Sequence, residues 1–165
     1  MTAPLEFRTG LGWDMHRTAT GRPLLLGGVR IESAFGLDGH SDADVLSHAV
    51  TDALLGAAAQ GDIGSHFPDT DPRWKDANSL QMLHHAVQIV HLAGFDIMNI
   101  DSTVILERPK LKDYRTAIRE SLAVALGLAP DRVSVKFKTA ETLGPVGEGL
   151  AAEAQAIATL RRRGA

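Results

Sequence analysis

The sequence has no cysteine, one tyrosine, two tryptophans and no apolar run close to the length of a membrane span. The missing cysteines exclude disulfides, iron–sulfur clusters and thiolate zinc sites, and leave His, Asp and Glu as the strong metal ligands. A helix needs about 18 or more consecutive apolar residues to cross a bilayer, and the first dozen residues carry no signal-peptide core, so a soluble, non-secreted, cytoplasmic protein is expected. Basic excess is also absent. Lys and Arg number 17 against 20 Asp and Glu, a net charge of -3, and the one basic run, Arg161 to Arg163, lies at the C-terminus. A nucleic-acid platform is therefore not expected, and the arginine run reads as the last turn of a helix, complementing its dipole. What is present is 165 residues, within the usual size of one domain, so residues 1 to 165 are expected to form a single domain.

Residues 7 to 16 alternate like a strand, with Phe7, Leu11, Trp13 and Met15 on one face and Gly10, Gly12, Asp14 and His16 on the other. The apolar face reads as core. Pro23 to Ile31, interrupted by Gly27-Gly28, suggests a hairpin partner with a bulge. A helix is expected from Ser41, with Asp44 completing a capping box and Val45, Leu46, Ala49, Val50, Ala53, Leu54 and Ala57 as its apolar stripe. A turn-rich loop from Gly61 to Pro72 leads to a helix from about Ser79 to Ala93. Asn99 to Leu106 and Val133 to Thr139 read as strands, Tyr114 to Leu126 as a helix, and Gly149 to Arg162 as a last helix. This alternation predicts an α/β (α+β, two-layer) fold with a mixed sheet of about four strands covered by helices.

Asp14 and His16, two apart on a strand, point to one side, and His48 comes from the first helix on the face that carries Asp44 and Asp52. Two His and one carboxylate match the three-ligand shell of a catalytic zinc site with an open fourth position, and Asp52 is a candidate orienter of a ligand. On spacing alone these residues also suit solvated side chains. His40 and Ser41 stand where the helix is expected to begin, a place suited to an anion, although Ser41 would serve equally as a cap. Lys110, Lys112, Lys136, Lys138 and Thr139 follow or end strands, where ligands bind in open sheets. His84, His85 and His91 are assigned to solvent.

Taken together, the motifs resemble the 2-C-methyl-D-erythritol 2,4-cyclodiphosphate synthase family of non-mevalonate isoprenoid biosynthesis. They are Gly12-Trp-Asp-Met-His16, His40-Ser-Asp-Ala-Asp44, His48-Ala-Val-Thr-Asp-Ala-Leu-Leu-Gly56, Gly61-Asp-Ile-Gly64, Phe67-Pro-Asp-Thr-Asp71, Arg108-Pro-Lys110 and Gly147-Glu-Gly149. The resemblance implies zinc or another divalent cation on Asp14, His16 and His48, with Met15 beside them at the substrate. It also implies phosphate contacts from His40 and Ser41, and the methylerythritol held by Asp62, Ile63 and Gly64. Phe67, Pro68, Asp69, Thr70 and Asp71 would line the pocket. Leu106, Glu107, Arg108, Pro109, Lys110, Leu111 and Lys112 would cradle a cytidine diphosphate substrate, and Lys138, Thr139, Ala140 and Glu141 would meet its diphosphate. By the same resemblance, Glu141 binds magnesium or manganese, His40 and Thr139 stabilise the transition state, and a homotrimer forms with active sites between subunits. The chain departs from the pattern at Pro145-Val-Gly-Glu-Gly149, which is shorter than the family's run and lacks its arginine. Two other functions suit the same ligands: a zinc-dependent phosphohydrolase using metal-bound hydroxide, and a non-catalytic nucleotide-binding domain.

Overall fold

The computed structural model describes residues 5–164. In chain order the elements are β1 (Phe7–Ala19), β2 (Leu24–Leu26), β3 (Val29–Ile31), β4 (Gly36–Leu37), α1 (Val45–Ala57), α2 (Ile63–His66), α3 (Ser79–Leu92), β5 (Phe95–Ile105), α4 (Arg115–Leu126), β6 (Val133–Lys138), α5 (Gly144–Gly147) and β7 (Ala151–Arg162). Five strands form a mixed sheet in the order β4-β1-β7-β5-β6, in which only β5 and β6 run parallel. Helix α1 packs on β1 and β7 and is covered in turn by α3. Enclosed in this way, α1 buries nearly its whole circumference, including Ser47, His48 and Thr51. Among the described residues, no helix is long and apolar enough to cross a membrane.

The expected faces of β1 are exchanged. Phe7, Leu11, Trp13 and Met15 point away from the helices and are exposed, Leu11 at 69% and Trp13 at 52%. The face bearing Gly10 and Gly12 packs against α1. A Cβ at Gly10 would overlap the Ala53 carbonyl oxygen and the Ala57 amide, and one at Gly12 would overlap the Ala49 carbonyl. Missing side chains thus let helix and strand backbones meet, and the close approach carries His48 to Asp14 and His16.

The segment after Gly149 is a strand where a helix was expected. Alanine favours helices, but Ala152, Ala154, Ala156 and Ala158 alternate along β7 and are buried. β7 pairs antiparallel with both β1 and β5 in the middle of the sheet. Two full hydrogen-bond ladders outweigh a local propensity. The terminal arginines consequently lie at the end of a strand rather than in the last turn of a helix; Arg161 and Arg163 pair with Asp96, and Arg162 with Glu6.

The predicted hairpin closes on itself as β2 and β3 rather than pairing with β1. Its turn is Gly27-Gly28 with φ of 57° and 75°, a two-residue reversal with both centres left-handed instead of a bulge. Helix α1 starts at Val45 rather than at Ser41, because Asp44 is its N-cap. The Asp44 carboxylate accepts from the amides of Ser47 (3.0 Å), Gly27 (2.9 Å) and Gly28 (2.6 Å) and from the Ser47 hydroxyl (2.9 Å). One buried carboxylate therefore ties the hairpin turn to the helix.

Candidate metal centre and active site

Asp14 Oδ2, His16 Nε2 and His48 Nδ1 converge. Oδ2 lies 2.9 Å from each nitrogen, and the nitrogens are 3.1 Å apart. Three donors of a tetrahedral shell at ~2.0 to 2.1 Å from an ion stand about 3.3 Å from one another, so this triangle is of the size one ion requires. The donor chemistry also fits. His16 Nδ1 is 2.8 Å from the Asp38 carbonyl oxygen, an acceptor, so Nδ1 carries a proton and Nε2 is the nitrogen left to meet an ion. Asp14 is steadied by the Met15 amide donating to Oδ1 at 2.9 Å. Among the described residues this is the one group of three or more such side chains positioned to share an ion.

Burial opposes charge on Asp14, but hydrogen bonds from His16 and His48 and attraction to both imidazoles prevail and hold its carboxyl well below the usual carboxylate range. For His16, burial again opposes charge, and the hydrogen bond and attraction to Asp14 outweigh it, raising the imidazole above its ordinary value. The cluster therefore favours a compensating positive charge, supplied by a proton or by a cation. The proposed orienting role of Asp52 does not hold. Its Oδ1 accepts from the Ile63 amide at 2.7 Å and so fastens the start of α2 to α1.

The triad lines a cavity of about 360 Å³ together with His40, Ser41, Ile63, Gly64, Phe67, Pro68 and Asp69. Two residues the motifs did not single out, Trp74 and Met82, complete the wall. The Trp74 ring stands edge-on to Phe67, centroids 4.8 Å apart. His85, although exposed, also packs edge-on to Phe67 at 5.6 Å rather than belonging wholly to solvent. Asp62 caps α2 by accepting from the amide and hydroxyl of Ser65, Asp71 pairs with Arg73, and Met15 points to the opposite side of the sheet. Ser41 lies ahead of α1 rather than in its first turn, where the Ser47 amide is taken by Asp44. The Ser41 hydroxyl turns inward instead, 3.0 Å from His48 Nε2.

A second cavity of about 370 Å³ gathers Leu106, Pro109, Lys110, Leu111, Lys112, Lys138, Thr139 and Glu141. Arg115 and Phe137 join it, with the guanidinium 5.4 Å over the ring. Phe137 falls within the strand expected at Val133 to Thr139 and Arg115 within the helix expected at Tyr114 to Leu126, and no motif singled out either residue. Glu107 accepts from the Ala140 amide at 3.1 Å, Thr139 donates to the Glu141 carboxylate, and Arg108 lies against Gly149. Lys136 turns away to pair with Asp101. In register, Asp14, Ala154, Val104 and Phe137 stand side by side on β1, β7, β5 and β6. The metal triad and the lysine-rich cavity are thus three strand spacings apart, about 14 Å, at the same end of the sheet.

A mixed sheet backed by helices, with an Asp14, His16 and His48 group that could bind a metal ion and a separate lysine-bearing cavity, defines an α/β protein with a candidate metal centre. The YgbB family model matches residues 7–161, and the chain belongs to that family. It is 66% identical over 157 residues to a 2-C-methyl-D-erythritol 2,4-cyclodiphosphate synthase of Solibacter usitatus, covering 95% of this chain and 99% of the relative. A bifunctional IspDF from Campylobacter jejuni superposes with a TM-score of 0.95 at 43% identity; 99% of this chain is covered, and it spans 44% of that longer protein. A synthase of the same name, solved in a form bound to CDP, superposes with a TM-score of 0.86 at 42% identity over 93% of this chain and 99% of its own.

Proposed function

We propose that the chain is a cyclising phosphorus–oxygen lyase. It converts 4-diphosphocytidyl-2-C-methyl-D-erythritol 2-phosphate to 2-C-methyl-D-erythritol 2,4-cyclodiphosphate and CMP, within non-mevalonate isoprenoid biosynthesis. The observation that carries this reading is the convergence of Asp14, His16 and His48 on one point of a cavity wall, in a chain 66% identical to a synthase of that name. An oxygen of the 2-phosphate attacks the β-phosphorus; the bond from that phosphorus to the bridging oxygen breaks, and CMP leaves with the oxygen. The nucleophile is already anionic, so the residues have to orient and neutralise rather than deprotonate. Fixing an intramolecular attack is worth as much as ~7 to 11 kcal/mol.

In this reading Asp14, His16 and His48 hold zinc or another divalent ion, which when bound supplies Lewis-acid neutralisation of phosphate charge. His40 and Ser41 meet the 2-phosphate end, Asp62 to Gly64 hold the methylerythritol, and Phe67 to Asp71 enclose it. Leu106 to Lys112 receive the cytidine. Lys138 to Glu141 receive the diphosphate, with Glu141 as the ligand of magnesium or manganese, and His40 and Thr139 steady the transition state. We read residues 1 to 165 as one domain, supported by a single core cluster that runs from Leu24 to Leu160.

We further infer a homotrimer with each active site shared between neighbours. Two observations support it: the triad and the lysine-rich residues line different cavities of one chain, and the uncovered sheet face presents Phe7, Leu11, Trp13 and Ile157. Such an apolar patch is the usual mark of an interface.

The test is to incubate purified protein with zinc, magnesium and the substrate and look for CMP and the cyclic diphosphate together. His48→Ala is expected to lose zinc and abolish CMP release. A linear phosphate carrying solvent oxygen would identify a phosphohydrolase instead, and nucleotide bound without turnover would identify a binding domain.

A further inference from the structure

Behind His48, on the side away from Asp14 and His16, lies a chain of buried polar groups. His48 Nε2 is 2.9 Å from Ser79 Oγ and 3.0 Å from Ser41 Oγ. Ser79, the first residue of α3, is fully buried, and Ser41 nearly so. The Ser79 hydroxyl donates to Asp42 Oδ1, and the Ser79 amide donates to Asp42 Oδ2 at 3.0 Å. The Ser41 hydroxyl oxygen accepts from the Ala43 amide at 3.2 Å.

The direction of these bonds is dictated at the carboxylate. An ionised Asp accepts and never donates, so the Ser79 proton is committed to Asp42. Ser79 Oγ is left with lone pairs only, and the proton between it and the imidazole must come from His48 Nε2. His48 Nε2 then carries a proton, and Nδ1, 2.9 Å from Asp14 Oδ2, is the nitrogen left to meet a cation. With Nε2 unprotonated, its lone pair would face that of Ser79 Oγ at 2.9 Å.

Helix α3 has no need of this hydroxyl for its own start. Asn78 is the N-cap, and its side chain accepts from the Leu80 amide at 2.8 Å. The loop bearing Ser41 and Asp42 is held independently by Arg22, which donates to the carbonyls of Gly39 (2.9 Å) and Ser41 (2.6 Å).

We infer that Ser79 and Asp42 are positioning residues, which through the relay Asp42–Ser79–His48 lock the His48 ring and tautomer with Nδ1 aimed at the cation. This rests on the metal reading of Asp14, His16 and His48. Partners behind a ligating imidazole commonly change metal affinity by about 10- to 100-fold.

The experiment has two readouts, neither of them turnover. In chelator-treated wild-type protein, imidazole nitrogen shifts should report a proton on His48 Nε2. Zinc affinity, measured by competition with a chelator, should fall about 10- to 100-fold in Ser79→Ala and fall also in Asp42→Asn, with a mixed His48 tautomer in each and the thermal midpoint confirming a folded chain. If Ser79→Ala does not fold, the isosteric Asp42→Asn carries the same two measurements. A wild-type His48 found as the Nδ1–H tautomer overturns the relay without any variant, and so do folded variants that bind zinc as tightly as wild type. Wild-type protein that binds no divalent ion overturns the metal reading instead, while its tautomer still decides the relay.

Discussion

Burial raises the Asp52 carboxyl above its ordinary value; the Ile63 amide opposes this, and the charges of Asp62 and Asp14 add to it. A folded value above the unfolded one means that folding prefers the protonated acid, so this contribution is present at low pH and is lost as pH rises past the unfolded value of about 3.9 toward the folded one. Asp52→Asn keeps an acceptor for Ile63 and removes the charge. In metal-free protein it should raise the melting temperature at pH 7 and leave it nearly unchanged near pH 3, and a lower midpoint at pH 7 would contradict that assignment. Asp14 has the opposite sign: its depressed carboxyl contributes stability above about pH 4 that is lost as pH falls through the folded value. The two carboxyls are thus shifted in opposite directions. The sequence showed that Asp14 and His16 share a strand face, because a period of two is local. It could not show that Asp52 serves Ile63, because that partner is set by where a loop returns.

At the scale of elements, the contact between β1 and α1 decides whether a metal centre forms at all. Gly12→Ala is expected to push α1 away from β1, with an overpacking cost of roughly 1 to 3 kcal/mol, and to lower zinc affinity together with the melting temperature. Gly56, in the last turn of α1, is the control. Nothing lies within 4 Å of a Cβ built there, so Gly56→Ala should be neutral or stabilise by up to about 1 kcal/mol with zinc binding unchanged. Equal behaviour of the two variants in a melting and zinc-titration series would refute a steric role for Gly12. The same contact explains two misread elements. The apolar face of β1 was expected inside rather than the face of Gly10 and Gly12, and the segment with the β7 alanines was expected to be a helix. In the fold both are small-residue surfaces cut to the width of α1, a property visible only once the helix is in place.

For the whole molecule, the exposed row on β1 and β7 carries the prediction. Leu11 stands directly across from Ile157, and Trp13 from Gln155, with the indole donating to Glu153 at 2.7 Å. Leu11→Arg would set a charge in the middle of the inferred subunit contact. It should shift sedimentation from trimer toward monomer and remove most turnover, while the metal-free monomer keeps its fold, because Leu11 packs against nothing in its own core. A Leu11→Arg protein that remains trimeric and active would exclude this face as the contact.

Apart from β4 and α2, the order of strands and helices up to β6 lay in the sequence, as did the residue types able to bind a cation and the motif series that marks the family, because each depends on local period or on residues near in the chain. The tertiary structure decided which face of β1 is inside, that the last segment is a central strand, and that His48 is backed by Ser79 and Asp42. Those outcomes turn on pairings between segments far apart in sequence, such as β1 with β7 and α1 with α3, and an alternating pattern defines two faces without saying which of them a helix will cover.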